Sequence, residues 1–166
     1  MNNYHFYEEE GKGKHSVIFK ARKKRKLDFV AIKRMDKSRK RKILNEATIL
    51  SGLAHTNIIK FYEYIESKNH MWAVTEYCPG GDLLHLIEQD KTLPENVVRN
   101  FIIEILQGLQ YCHSKGIVVC DLKPASILIN EYGNIKIGDF GSAKTLMDLT
   151  HSQNESKKGT PSYMAP

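Results

Sequence analysis

Lys33 ends the apolar run Val30-Ala31-Ile32, a place where an ammonium is costly unless it meets a carboxylate or a phosphate. Glu46 follows 13 residues later in a stretch of helical periodicity; taken alone it reads equally well as an exposed helix residue. Asp121-Leu122-Lys123-Pro124 and Asp139-Phe140-Gly141 add two carboxylates 18 residues apart, one on each side of a short hairpin signal. Two carboxylates brought together by one hairpin suit a general base and a magnesium ligand. Gly11-Lys12-Gly13-Lys14-His15-Ser16 lies between strand-like stretches. Glycines there let backbone amides approach phosphates closely, although a plain hairpin turn accounts for the same residues, and Ser16 stands where a third glycine would be expected. Because strands flank this loop, and not a strand and a helix, it fails the context of a dinucleotide-binding fold.

The elements that must position these residues are legible from periodicity. Residues 4–35 and 59–77 are rich in Val, Ile, Phe and Tyr and read mostly as strands. Between them Ile43, Ala47, Leu50 and Leu53 recur at three- and four-residue steps, which predicts an amphipathic helix over 38–53. A second change follows Gly80-Gly81. From Pro94, a helix-start residue, Val98, Phe101, Ile105, Leu109 and Cys112 repeat at helical spacing until Gly116. Ile127-Leu128-Ile129-Asn130 and Ile135-Lys136-Ile137 flank Glu131-Tyr132-Gly133-Asn134 as a hairpin. A strand-rich front, 1–78, thus joins a helix-rich back, 79–166, through a hinge. The expected class is α+β, in two lobes.

Composition narrows the classes. The 166 residues are 41% apolar and 27% charged, an ordinary globular mix. No run approaches a membrane span, and the first residues lack a signal-peptide layout. Three cysteines, Cys78, Cys112 and Cys120, form no paired framework and lack metal-ligand spacing; a reducing, intracellular compartment follows. Residues 1–60 carry 16 basic against 6 acidic side chains, and 61–166 carry 9 against 13. The basic runs at 22–26 and 37–42 have no interleaved aromatic residues of the kind a nucleic-acid stacking platform needs. They read as a solvated turn and an exposed helix start, with no nucleic-acid or membrane partner expected.

Gly11-x-Gly13, Val30-Ala31-Ile32-Lys33, Glu46, Asp121-x-Lys123, Asp139-Phe140-Gly141 and Gly159-Thr160-Pro161-x-Tyr163-x-Ala165-Pro166 occur in one order through nearly the whole chain. In that order and spacing the sequence resembles the eukaryotic protein kinases. The resemblance implies a bilobal kinase-like fold, an antiparallel-sheet N-lobe with an incomplete helical C-lobe, and ATP with Mg2+ held between the lobes. On it, Lys33 binds the α- and β-phosphates and pairs with Glu46, while Gly11, Lys12 and Gly13 cover the phosphates. Val17, Ala31 and Leu128 sandwich adenine, Thr75 is the gatekeeper, Glu76 to Cys78 supply the hinge backbone, and Asp82 reaches the ribose. Asp121 takes or orients the proton of a substrate hydroxyl, Lys123 stabilises the transferring phosphoryl group, and Asp139 holds magnesium. Lys123 with Gly159-Thr160 is similar to the serine/threonine type, so a protein with serine or threonine is the implied substrate.

Three departures from that pattern stand out. Ser126 occupies the place of an asparagine that holds a second magnesium, making it the weaker candidate metal residue beside Asp139. Cys120 and Val119 replace the arginine and histidine before Asp121, which removes the usual bidentate partner of a phosphate on the activation segment. Phosphorylation of Thr145, Thr150, Ser152 or Ser156 is therefore not expected to control activity. The chain also stops at Pro166, before the later helices of such a domain. Tyr4-His5-x-Tyr7-Glu8, Asp36-Lys37-Ser38-Arg39-Lys40, His70-Met71-Trp72 and Cys120-Asp121 are similar to the Runkel-type branch of the Unc-51-like/Fused kinases. That branch implies a cytoplasmic, cytoskeletal setting and microtubule-associated partners. It also raises an alternative function, a nucleotide-binding pseudokinase scaffold.

Overall fold

A computed structural model describes residues 1–13, 16–151 and 159–164. The chain divides into two compact units, Met1–Ser51 with Lys60–Tyr77, and Gly52–Ile59 with Cys78–Pro166.

The first unit is a five-stranded antiparallel sheet with one helix. β1 (Tyr4–Gly13), β2 (Ser16–Lys23) and β3 (Phe29–Asp36) are joined by α1 (Lys40–Ser51) to β4 (Phe61–Glu66) and β5 (His70–Glu76). Their order in the sheet is β1-β2-β3-β5-β4. Alternation along the strands divides the apolar residues between two faces. Tyr4, Ala21, Val30, Ile32 and Val74 form one cluster, and Met35 and Met71 form a second with Ile43 of α1. The Tyr4 hydroxyl of β1 donates to the Glu63 carboxylate of β4, the opposite edge strand, so the sheet curls across its first face. Burial, then this carboxylate, raises the Tyr4 phenol well above its ordinary value. The helix expected over 38–53 begins with a 3-10 turn at Lys37–Arg39, capped by the Asp36 side chain, and ends at Ser51, before Gly52. The basic run at 22–26 is the β2–β3 turn and that at 37–42 is the helix start, as expected. Lys23 meets Glu63 and Lys37 and Lys40 meet Glu66. Glu63 lies in register with Val74 and Glu66 with Met71, so the two basic runs reach β4 from opposite faces of the sheet.

The second unit contains α2 (Leu83–Asp90), α3 (Glu95–Ser114), β6 (Ile117–Val118), β7 (Ile127–Ile129), β8 (Ile135–Ile137), β9 (Lys144–Thr145) and α4 (Leu146–His151). β7 and β8 pair as the expected hairpin, Ile127 opposite Ile137 and Ile129 opposite Ile135. Asn57, buried, fixes this hairpin against α3. Its Nδ2 donates to Glu104 Oε2 at 3.0 Å and to the Ile135 carbonyl at 3.2 Å, and the Ile135 amide donates to the same Glu104 oxygen at 2.7 Å. The Ile137 amide returns to the Asn57 carbonyl at 2.9 Å. Gly108 of α3 is what allows the close approach. A Cβ there would lie 2.9 Å from Ile137 Cδ1 and 3.1 Å from the Asn57 carbonyl oxygen, a backbone atom that cannot swing aside. Gly108→Val is expected to cost about 1–3 kcal/mol and to lower the midpoint of thermal unfolding by several degrees; an unchanged midpoint would show that α3 is not seated this closely. The opposite stripe of α3 is open, with Ile102 51% and Leu106 58% exposed. Among the described residues no helix is long and apolar enough to cross a membrane.

Candidate active site

A polar cluster in the second unit is built by three side chains from two distant stretches. Lys123 Nζ donates to Asp121 Oδ2 at 2.7 Å and to Thr160 Oγ1 at 2.9 Å. Thr160 then donates twice to the other carboxylate oxygen, from Oγ1 at 2.7 Å and from its backbone amide at 2.9 Å. Asp121 thus accepts on both oxygens while only 17% of its side chain is exposed. Burial opposes its ionisation, and the hydrogen bonds from Lys123 and Thr160 outweigh burial, holding the carboxyl below the usual range. A carboxylate kept charged and oriented in this way can receive a hydroxyl proton or align the hydroxyl that loses it. In the sequence Thr160 stands only as part of a serine/threonine-type motif, not as a partner of Asp121. Its signal was the Gly159-Thr160-Pro161 tripeptide, but a contact across 39 positions is not readable from spacing.

The loop that carries this cluster is closed by Ser126. The Ser126 hydroxyl donates to the Lys123 carbonyl at 2.8 Å and accepts from the Lys123 amide at 3.1 Å. The Ser126 carbonyl accepts the Gly138 amide at 2.9 Å, which joins the loop to the segment of Asp139. Asp139 is half-buried and its Oδ1 accepts the Gly141 amide at 3.0 Å, the turn that aims the carboxylate. Phe140 beside it is fully buried. Leu128 bridges Asp82 across a short antiparallel contact and lies directly over the Gly138 backbone. The Asp82 side chain accepts the His85 amide at 2.9 Å and caps α2. Residues 121, 123, 126, 128, 139, 160 and 82 are therefore linked in one unit. Cys120, in the arginine position, directs its Sγ to the Val118 carbonyl at 3.6 Å.

The first unit assembles a second group of the expected residues on one sheet face. Ala31, Lys33 and Met35 alternate onto the face that packs on α1, since Met35 clusters there with Ile43. Across β5, Ala31 lies in register with Thr75 and Lys33 with Ala73. Glu46 is one helical turn beyond Ile43, and so occupies the same side of α1. Glu76 lies opposite Val30, its amide donating to the Lys60 carbonyl at 2.9 Å; the two units divide between Tyr77 and Cys78. Gly11, Lys12 and Gly13 end β1 opposite Ile18, Val17 and Ser16. Among the described residues, a Cβ on Gly11 would meet nothing within 4 Å. Val17 requires a correction. It lies opposite Arg34, on the face of Ile32, whereas Ile18 lies opposite Lys33. Alternation in a strand makes a one-residue slip a change of face, and the side chain beside Lys33 is that of Ile18. Lys14, His15, Ser152, Ser156, Ala165 and Pro166 lie outside the described residues, as does the side chain of Thr150. Thr145 is engaged with Asp148, its hydroxyl donating at 2.6 Å.

Residues 4–166 match the protein kinase domain family. The chain is 50% identical over 166 residues to serine/threonine-protein kinase RUNKEL of Arabidopsis thaliana, covering all of this chain and 12% of that protein. It is 41% identical over 144 residues to serine/threonine-protein kinase ULK4 of Mus musculus, covering 87% of this chain and 11% of that one. Similarity to serine/threonine-protein kinase ATG1a of Arabidopsis thaliana is 37% over 164 residues, 94% of this chain and 26% of the relative. The chain therefore spans from about a tenth to a quarter of the length of these relatives. With an antiparallel five-stranded unit, a unit carrying the Asp121 loop and a family match from Tyr4 onward, the chain belongs to the protein kinase family.

Proposed function

We propose that the chain supplies the nucleotide-binding and catalytic-loop residues of an ATP-dependent protein serine/threonine kinase. The observation that carries this reading is the Asp121–Lys123–Thr160 cluster, which ties a charged carboxylate, a lysine and a threonine of the segment after Asp139 into one arrangement. The residues also fit ATP with magnesium. Gly11 leaves open space where phosphate can approach backbone, Ala31, Thr75, Lys33 and Ile18 share one sheet face, and Asp139 offers a carboxylate. In the first unit Lys33 would hold the phosphates and pair with Glu46, with Ala31 and Ile18 on the same sheet face available to the base; in the second, Leu128 would offer an apolar side chain to the base and Asp139 would hold magnesium. Magnesium, when bound, neutralises charge on the phosphates. Asp121 aligns the accepting hydroxyl and takes its proton, and Lys123 offsets charge on the moving phosphoryl group. The protein contributes positioning and electrostatics and little covalent chemistry.

Phosphoamino-acid analysis of proteins labelled by the full-length enzyme tests the substrate class. Label on serine or threonine is expected; label confined to tyrosine would overturn it. A second reading, a nucleotide-binding scaffold, is favoured by Cys120 and by the backbone engagement of the Ser126 hydroxyl. By resemblance to the Runkel-type kinases, a cytoplasmic and cytoskeletal setting with microtubule-associated partners belongs to the same proposal.

A further inference from the structure

We propose that Ser126 is a positioning residue that braces the Asp121–Lys123 loop, is not a metal ligand, and leaves the protein with one divalent cation per bound nucleotide. The inference rests on the reading of the chain as ATP-binding, and it concerns what this chain's own residue at 126 can do. A serine hydroxyl has one proton and two lone pairs. The proton goes to the Lys123 carbonyl at 2.8 Å and one lone pair takes the Lys123 amide at 3.1 Å. Both partners belong to one residue, so the hydroxyl closes the turn Pro124–Ser126 on itself, and the Ser126 amide adds a third bond to the Lys123 carbonyl at 2.9 Å. The residue is 2% exposed. The second lone pair lies on a hydroxyl fixed by both of these bonds in a residue that is almost wholly enclosed, so a cation could be met only by turning the hydroxyl away from Lys123. Magnesium also demands oxygen ligands at ~2.0–2.1 Å in near-ideal octahedral geometry, which a short side chain fixed to its own loop does not supply.

The brace has a consequence at both carboxylates. Lys123, held through its backbone, carries the ammonium that meets Asp121 and Thr160. The Ser126 carbonyl, through the Gly138 amide, holds the residue just before Asp139. Ser126 thus sets the base and the remaining metal carboxylate relative to one another from a place that touches neither. Asp139 with phosphate oxygens and water suffices for one octahedral cation.

The experiment uses the full-length protein with Mn2+ as a paramagnetic probe and the non-hydrolysable β,γ-methylene analogue of ATP. Bound Mn2+ is counted by electron paramagnetic resonance, and exchange of the Lys123 amide is followed by mass spectrometry. One Mn2+ per protein–nucleotide complex is expected, with count and affinity unchanged in Ser126→Ala. Exchange at Lys123 should quicken by about tenfold or more in Ser126→Ala and return toward the parent rate in Ser126→Thr, which keeps the hydroxyl. Two Mn2+ in the parent, or one lost on Ser126→Ala, would overturn the one-cation claim. Unaltered exchange would overturn the brace. If Ser126→Ala does not fold, the count on the parent protein still decides the number of cations. Failure of the analogue to bind would instead remove the ATP-binding reading, while the exchange measurement continues to decide the brace.

Discussion

Asp121→Asn is expected to lower phosphoryl transfer by the full-length protein by about a thousandfold, with nucleotide affinity unchanged within a few-fold. The carboxylate accepts from Lys123 Nζ on one oxygen and from both Thr160 donors on the other. An asparagine has one acceptor oxygen and an amide group that donates, so one of these partners would face a donor. The variant loses the proton acceptor and disturbs the lysine and threonine around it, yet touches none of the residues assigned to the base, the ribose or the α- and β-phosphates. Acid dependence follows from the same bonds. Burial raises the tendency of Asp121 to hold a proton, and Lys123 and Thr160 more than reverse it, leaving the folded-state pKa depressed. A depressed carboxyl contributes stability that is fully present above its unfolded pKa, about 4, and is lost as pH falls through the folded value. The parent kcat/KM should therefore show no limb from Asp121 between about pH 5 and 8. A limb near pH 6 that disappears in Asp121→Asn would contradict the assignment.

Lys33→Met is expected to weaken ATP binding by about tenfold and to reduce kcat/KM by about 10²–10³, while adenosine binding stays unchanged. Methionine keeps an unbranched stem of similar length on the same strand, so the register of Lys33 between Ile18 and Ala73 survives. What is lost is the ammonium. A contact made to phosphates alone must vanish when the ligand has none, which makes adenosine the internal control. Equal loss for ATP and adenosine would point to collapse of the sheet face and not to a phosphate contact. Unchanged ATP affinity would remove Lys33 from the site.

Much of this arrangement could be read from residue order, and the remainder shows where one dimension fails. β3 shows as a continuous apolar run, α3 as a stripe at three- and four-residue steps bounded by Pro94 and Gly116, and the β7–β8 hairpin by two apolar runs around the Gly133 turn. α2 went unread. It is eight residues long, and its cap is Asp82, the residue the kinase resemblance assigns to the ribose. Residues 52–59 precede Glu76–Cys78 in the chain yet group with the second unit, where Asn57 is held by Glu104 and β8, and no linear boundary could show this. The register of β2 sets Ile18, not Val17, beside Lys33, a difference of one position that exchanges the two faces of the strand. Thr160 and Ser126 carry their meaning in hydrogen bonds, one spanning 39 residues and one closing a turn of three, and neither distance has a signature in composition.

Transfer of radiolabelled γ-phosphate from ATP by the full-length protein is the most direct measurement. Time-dependent label on serine or threonine, lost with Asp121→Asn, is the predicted result. Saturable ATP binding with no label above that of Asp121→Asn would contradict catalysis and leave the chain as a nucleotide-binding scaffold.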